Sequence, residues 1–196
     1  DEVVALTENT NEVFVFGSRT LQIMQPDANL VYAPATTKEY GCTAPYSVIK
    51  LDEGFAWLDS RRRFVRSDGR SIGRIGGDAV SNDGDLGPLV EVSDGFGYRV
   101  QLGSLDAMVW TLPTDGRSFV YQDGVGWGQW SGYGDSGYTA FPVSAACLVE
   151  STSQTVVGTT DGKIGVLSFE SNTDFEEPIP AHVTTGFLDR GSSNLK

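Results

Sequence analysis

The 196-residue chain carries 14 basic and 26 acidic side chains, a formal charge of −12, with 39% hydrophobic and 11% aromatic residues. That much apolar and aromatic area can offset chain entropy, which excludes a disordered chain and sets the expectation at one domain over residues 1–196, or a segment of a larger protein. The acidic balance excludes tight sequence-reading DNA binding while leaving weak contact with passing DNA open, and no apolar run approaches the roughly 18 residues that span a bilayer.

Asp1 to Thr10 hold neither a basic n-region nor an apolar h-region, so a soluble, unaddressed chain is expected. The start on Asp1 leaves processing, or excision from something longer, open. Short apolar runs of β-branched and aromatic residues, cut every few positions by Gly, Asp, Asn and Pro, predict strands throughout and almost no helix. The first predicted hairpin takes Glu12–Gly17 into Thr20–Ile23. Ala44–Leu51 follows as a lead strand with small residues at its start, before a second hairpin from Gly54–Asp59 into Arg63–Arg66. The third runs from Met108–Leu112 through Thr114-Asp115-Gly116 into Ser118–Tyr121. Phe141–Val149 is another lead strand, and the fourth hairpin runs from Gln154–Gly158 through Asp161-Gly162 into Ile164–Leu167. Asp-Gly pairs favour such turns because both residues tolerate left-handed backbone.

The turn centres fall roughly 43 to 56 residues apart, near the roughly 40–50 residues of a four-stranded blade. An all-β fold follows: a β-propeller, or a partial propeller of about four blade-like antiparallel units, with a β-sandwich or barrel as the competing architecture. Asp78–Asp94 and Gly124–Gly137 are expected as loops that supply contact faces.

Candidate sites are few. Gly134-Asp135-Ser136-Gly137 matches the core of a serine-protease nucleophile motif. A nucleophilic serine needs a base and an orienting group, and the one histidine, His182, follows the serine in polar surroundings with no nucleophile elbow present. No catalytic residue is expected, with a hydrolase using Ser136 and His182 as the weaker alternative, and a glycine-rich turn as the plain reading. Asn82-Asp83-Gly84-Asp85 lacks the register of a calcium loop, and Gly124–Gly132 lacks that of a nucleotide loop, so neither a metal nor a cofactor is expected. Arg61, Arg62, Arg63 and Arg66 form the basic concentration, read either as a solvated hairpin tip or as a contact for an acidic or phosphate partner. Trp127, Trp130, Tyr133 and Tyr138 are read either as strand-end aromatics packed between sheets or as a glycan- or receptor-binding platform. Cys42 and Cys147 are expected as buried free thiols.

The run Tyr40-Gly41-Cys42-Thr43-Ala44-Pro45-Tyr46-Ser47-Val48, followed by Gly54–Leu58, resembles a pattern of the packaged-DNA stabilisation proteins, the tail-accessory or head-closure family of short-tailed bacteriophages. Thr43 stands where that pattern has alanine. Val13–Thr20, Trp110–Thr114, Phe119–Tyr121 and Thr185–Gly191 match in family order, and specificity comes from the ordered set. The family's chains extend further on both sides. The resemblance implies a propeller-bearing virion tail protein, assembled in the bacterial cytoplasm as a homo-oligomeric ring. It implies contact with head-to-tail adaptor or portal proteins and with distal tail needle or tailspike proteins, and no catalysis.

Overall fold

A computed structural model describes residues 1–29, 31–77, 88–134, 137–171, 173–174 and 177–178. Among them there is no helix, and so none long and apolar enough to cross a membrane. The strands form four antiparallel sheets and one two-stranded pair. Sheet 1 holds β1 (Val3–Asn9), β2 (Glu12–Gly17), β3 (Leu21–Pro26) and β4 (Tyr32–Lys38). Sheet 2 holds β5 (Ile49–Leu51), β6 (Gly54–Leu58), β7 (Phe64–Ser67) and β8 (Ile72–Arg74). Sheet 3 holds β9 (Phe96–Leu102), β10 (Leu105–Leu112), β11 (Arg117–Gln122), β12 (Gly126–Gly134) and β13 (Gly137–Ala140). Sheet 4 holds β14 (Val143–Val149), β15 (Gln154–Thr159) and β16 (Ile164–Val166), and β17 (Thr173–Asp174) pairs with β18 (Glu177–Pro178). In every sheet each strand neighbours the next in sequence.

The four predicted hairpins are the second and third strands of the four sheets. Their turns use the expected chemistry, with Gly116 at φ 72° after Asp115 and Gly162 at φ 82° after Asp161. Alternation then decides what each face buries. Phe14 and Phe16 on β2 point one way and meet Phe55, Trp57 and Val65 of sheet 2. The intervening β6 residues Ala56 and Leu58 point the other way, to Met108, Trp110, Leu112 and Phe119 of sheet 3. Ala107 and Val109 on β10 face Val143 and Val157 of sheet 4. An inner sheet buried on both faces must read as a continuous apolar run, which is why Phe55–Leu58 and Met108–Leu112 show little alternation.

The outward face of sheet 4 is largely apolar, and that of sheet 1 mixes apolar residues with Glu8, Gln22 and Thr37. On sheet 1 Leu6 is exposed and Val13, Val15 and Met24 are half-buried, while on sheet 4 Val149, Ile164 and Val166 are exposed beside half-buried Val156.

Two expectations need correction. Gly124–Gly137 is mostly strand: β12 runs over nine residues, and its glycines fit a ladder in which Tyr121 lies opposite Trp127 and Val120 opposite Gly128. Glycine costs strand stability, but the tryptophans between supply the buried area that local propensity lacks. The lead strand Ala44–Leu51 shortens to Ile49–Leu51, because Ser47 N–H turns back to the Ala44 carbonyl at 3.0 Å and Pro45 has no donor for a ladder.

Candidate interaction surfaces

Three of the four clustered arginines have intramolecular partners. Asp59, whose side chain is 1% exposed, accepts the backbone N–H groups of Arg61 (2.8 Å) and Arg63 (3.0 Å) on Oδ1, and Arg63 Nε (2.7 Å) and Nη2 on Oδ2. Arg62 donates to the Val90 carbonyl at 2.6 Å, and its left-handed backbone (φ 57°) tightens the hairpin tip. Arg66 pairs with Asp123 at 2.8 Å across the junction of sheets 2 and 3, an exposed pair worth about 0–1 kcal/mol. Arg61 is exposed.

The aromatic set divides by strand parity. Trp127 and Trp130, three residues apart on β12, lie on opposite faces of sheet 3. Trp127 packs towards sheet 2 against Phe64 (4.8 Å) and Tyr121 (5.0 Å) and donates to the Ile75 carbonyl at 3.3 Å. Trp130 packs towards sheet 4 against Phe141 (5.3 Å). The two therefore cannot form one coplanar platform. Tyr133 and Tyr138 are exposed and meet edge to face across β12 and β13 at 5.4 Å. Gly134 pairs with Gly137 at the end of that ladder, while Asp135 and Ser136, like His182 and Asn82–Asp85, lie outside the described residues. Among the described residues no three His, Cys, Asp or Glu side chains are grouped to hold a metal.

The stretch Gly41–Ser47 ties three sheets together. Cys42 N–H bonds the Gly17 carbonyl of sheet 1 at 2.9 Å, and Thr43 N–H bonds Leu58 of sheet 2 at 3.1 Å. Ser47 Oγ donates to the Ala44 carbonyl (2.8 Å) and accepts Leu58 N–H (3.2 Å). Gly97 N–H of sheet 3 bonds the Tyr46 carbonyl at 2.9 Å. Two buried indoles close the set: Trp57 donates to the Gly41 carbonyl at 3.0 Å and Trp110 to the Ser47 carbonyl at 2.9 Å. Gly97 cannot carry a side chain here, since a Cβ would lie 2.7 Å from the Ser47 carbonyl oxygen and from Ile49. No protein-family model and no curated protein matches the chain.

A further tie had no signal in the sequence beyond isolated charges. Arg99 lies between Asp52 of sheet 2 (2.6 Å) and Asp106 of its own sheet (2.6 Å). Its hydrogen bonds hold both carboxyls below the ordinary aspartate range.

Both cysteines are free, but only Cys42 is buried, and Cys147 is exposed on β14. Burial raises the Cys42 thiol above its ordinary value, which removes the nucleophilic thiolate. A disulfide-exchange reagent at pH 8 is expected to titrate one thiol in the native chain and two after denaturation. Mass mapping should place the native label on Cys147, and rapid native labelling of Cys42 would contradict the packing described.

Proposed function

We propose that the chain is a non-enzymatic structural protein of a bacteriophage virion, a tail hub that closes the portal channel, holds packaged DNA in the head and carries distal tail parts. The observation that carries this reading is the ordered set of motifs from Val13 to Gly191. The described motifs occupy structural positions: Phe14 and Phe16 are core, Gly41–Ser47 joins three sheets, and Trp110 locks the junction of sheets 2 and 3. Such a set suits a rigid assembly part, since rings hold together only where their subunits keep their shape.

The four sheets are, on this reading, blades of a partial β-propeller. Consecutive meanders packed face to face support it, as does the adjacency of the first strands β5, β9 and β14. The outer faces of sheets 1 and 4, with their apolar residues, and the exposed Tyr133 and Tyr138 are surfaces for protein neighbours: copies in a ring, the adaptor or portal, and the needle or tailspike. The charge of −12 suits a passage that DNA crosses without adhering. Arginines engaged within the chain supply little for phosphate neutralisation, so DNA contact is weak and salt-sensitive.

Phage whose copy of this protein is destabilised should fill heads with DNA and then lose it, measured as packaged but leaking particles by electron microscopy and nuclease protection. Stable DNA-filled heads without the gene, or nanomolar sequence-selective DNA binding at physiological salt, would overturn the proposal.

A further inference from the structure

Where sheets 3 and 4 meet, a cleft of about 830 Å³ opens between the starts of β9 and β14. Its walls include Phe96, Phe141 and Val143, with Tyr46, Asp94 and Ala145 around them. One step earlier in the series, at the junction of sheets 2 and 3, the corresponding space is filled by the chain itself. There Tyr46 runs parallel to Phe96 as an isolated bridge and its carbonyl accepts Gly97 N–H at 2.9 Å. Among the described residues no equivalent bridge reaches β14, which pairs with β15 along one edge and with no strand along the other. An open strand edge offers a row of backbone donors and acceptors to an incoming extended chain.

The chemistry of the walls says what such a chain carries. The cleft is within the roughly 300–1,000 Å³ range of ligand sites and is mostly apolar, which suits a branched or aromatic side chain. Asp94 is the charged residue of the lining. Its Oδ2 accepts Thr114 N–H at 2.8 Å, while Oδ1 has no donor among the described residues, so a cation can add to it.

We propose that this cleft docks an extended segment of another protein. The segment adds as a strand to the open edge of β14, seats an apolar side chain between Phe96, Phe141 and Val143, and places a lysine or arginine against Asp94. The docking site depends only on how sheets 3 and 4 meet, and it stands or falls separately from the virion role.

The test is selection of a library of random heptapeptides against the intact chain, followed by binding and amide-resonance measurements on the enriched sequences. Enriched peptides should combine an apolar residue with Lys or Arg and shift the amides of Gly97, Ala145 and Ala146. N-methylation at alternate peptide backbone positions should abolish binding, as strand addition requires. Asp94→Asn should weaken binding about tenfold and relax the preference for a cation. Ala146→Arg, on the face of β14 turned to sheet 3, should abolish binding, and if that variant does not fold, Asp94→Asn decides alone. No enrichment, enrichment of acidic peptides, or peptides that bind Asp94→Asn undiminished would each overturn the proposal.

Discussion

Trp110→Ala is expected to lower the stability of the chain by about 3–5 kcal/mol, the usual cost of removing a fully buried tryptophan. The side chain is 0% exposed and packs on Phe64 at 4.8 Å, with the Trp127 ring 6.1 Å away. Its indole N–H also holds the Ser47 carbonyl, so the change opens a cavity and strips a buried acceptor of a donor at once. A small domain has only about 5–15 kcal/mol in total, so the variant should unfold at a far lower urea concentration. Trp110→Phe separates the two contributions, since it keeps most of the ring and loses the hydrogen bond. It should cost about 1–3 kcal/mol through the carbonyl left unpaired. If alanine and phenylalanine proved equally mild, the junction of sheets 2 and 3 would not depend on this residue.

Asp59→Ala is expected to cost about 3 kcal/mol, because it leaves the Arg63 guanidinium and two hairpin N–H groups without their acceptor. The side chain of Arg63 is 20% exposed, so water reaches the cation and keeps the loss at the lower end for a broken buried pair. Asp59→Asn should cost less, since its amide oxygen can still accept a backbone N–H. Equilibrium urea unfolding of the two variants, at low and high salt, reads the difference. The Asp59 carboxylate is shielded from solvent ions, so a large salt dependence would contradict its burial.

The strands were legible because their signals are local. Alternation in Val13–Phe16, turn chemistry at Asp115-Gly116 and Asp161-Gly162, and continuous apolar runs in the inner strands each require only a few neighbouring residues. Gly124–Gly137 reads as loop because strand propensity counts glycine against a strand, whereas contacts of Trp127 with Tyr121 on the neighbouring strand and with Phe64 of the facing sheet decide the outcome. The arginine cluster looked like one basic patch because sequence places Arg61–Arg66 together. Their partners, Asp59, the Val90 carbonyl and Asp123, come from three different places in the fold. Of the two readings of Trp127 and Trp130, packing between sheets holds and a shared platform does not, because parity on β12 puts them on opposite faces. The Arg99 tie and the cleft beside β14 exist only where sheets meet, and no local pattern marks them.

Consecutive packing also bears on how cooperatively the chain holds together. Each hydrophobic cluster joins one sheet to the next in sequence, so the sheets are coupled as a line of nearest neighbours. Among the described residues sheets 2 and 3 have two packed faces each and sheets 1 and 4 have one, so opening an end of this line costs less than opening the middle. These contacts join residues far apart along the chain, such as Phe14 with Phe55 and Phe64 with Trp110, yet each reaches only the preceding sheet, so a sheet can dock on its predecessor as synthesis delivers it. Damage at Trp110 therefore cuts the line at its centre and uncouples two halves, whereas damage on β15 or β16 loosens only one end.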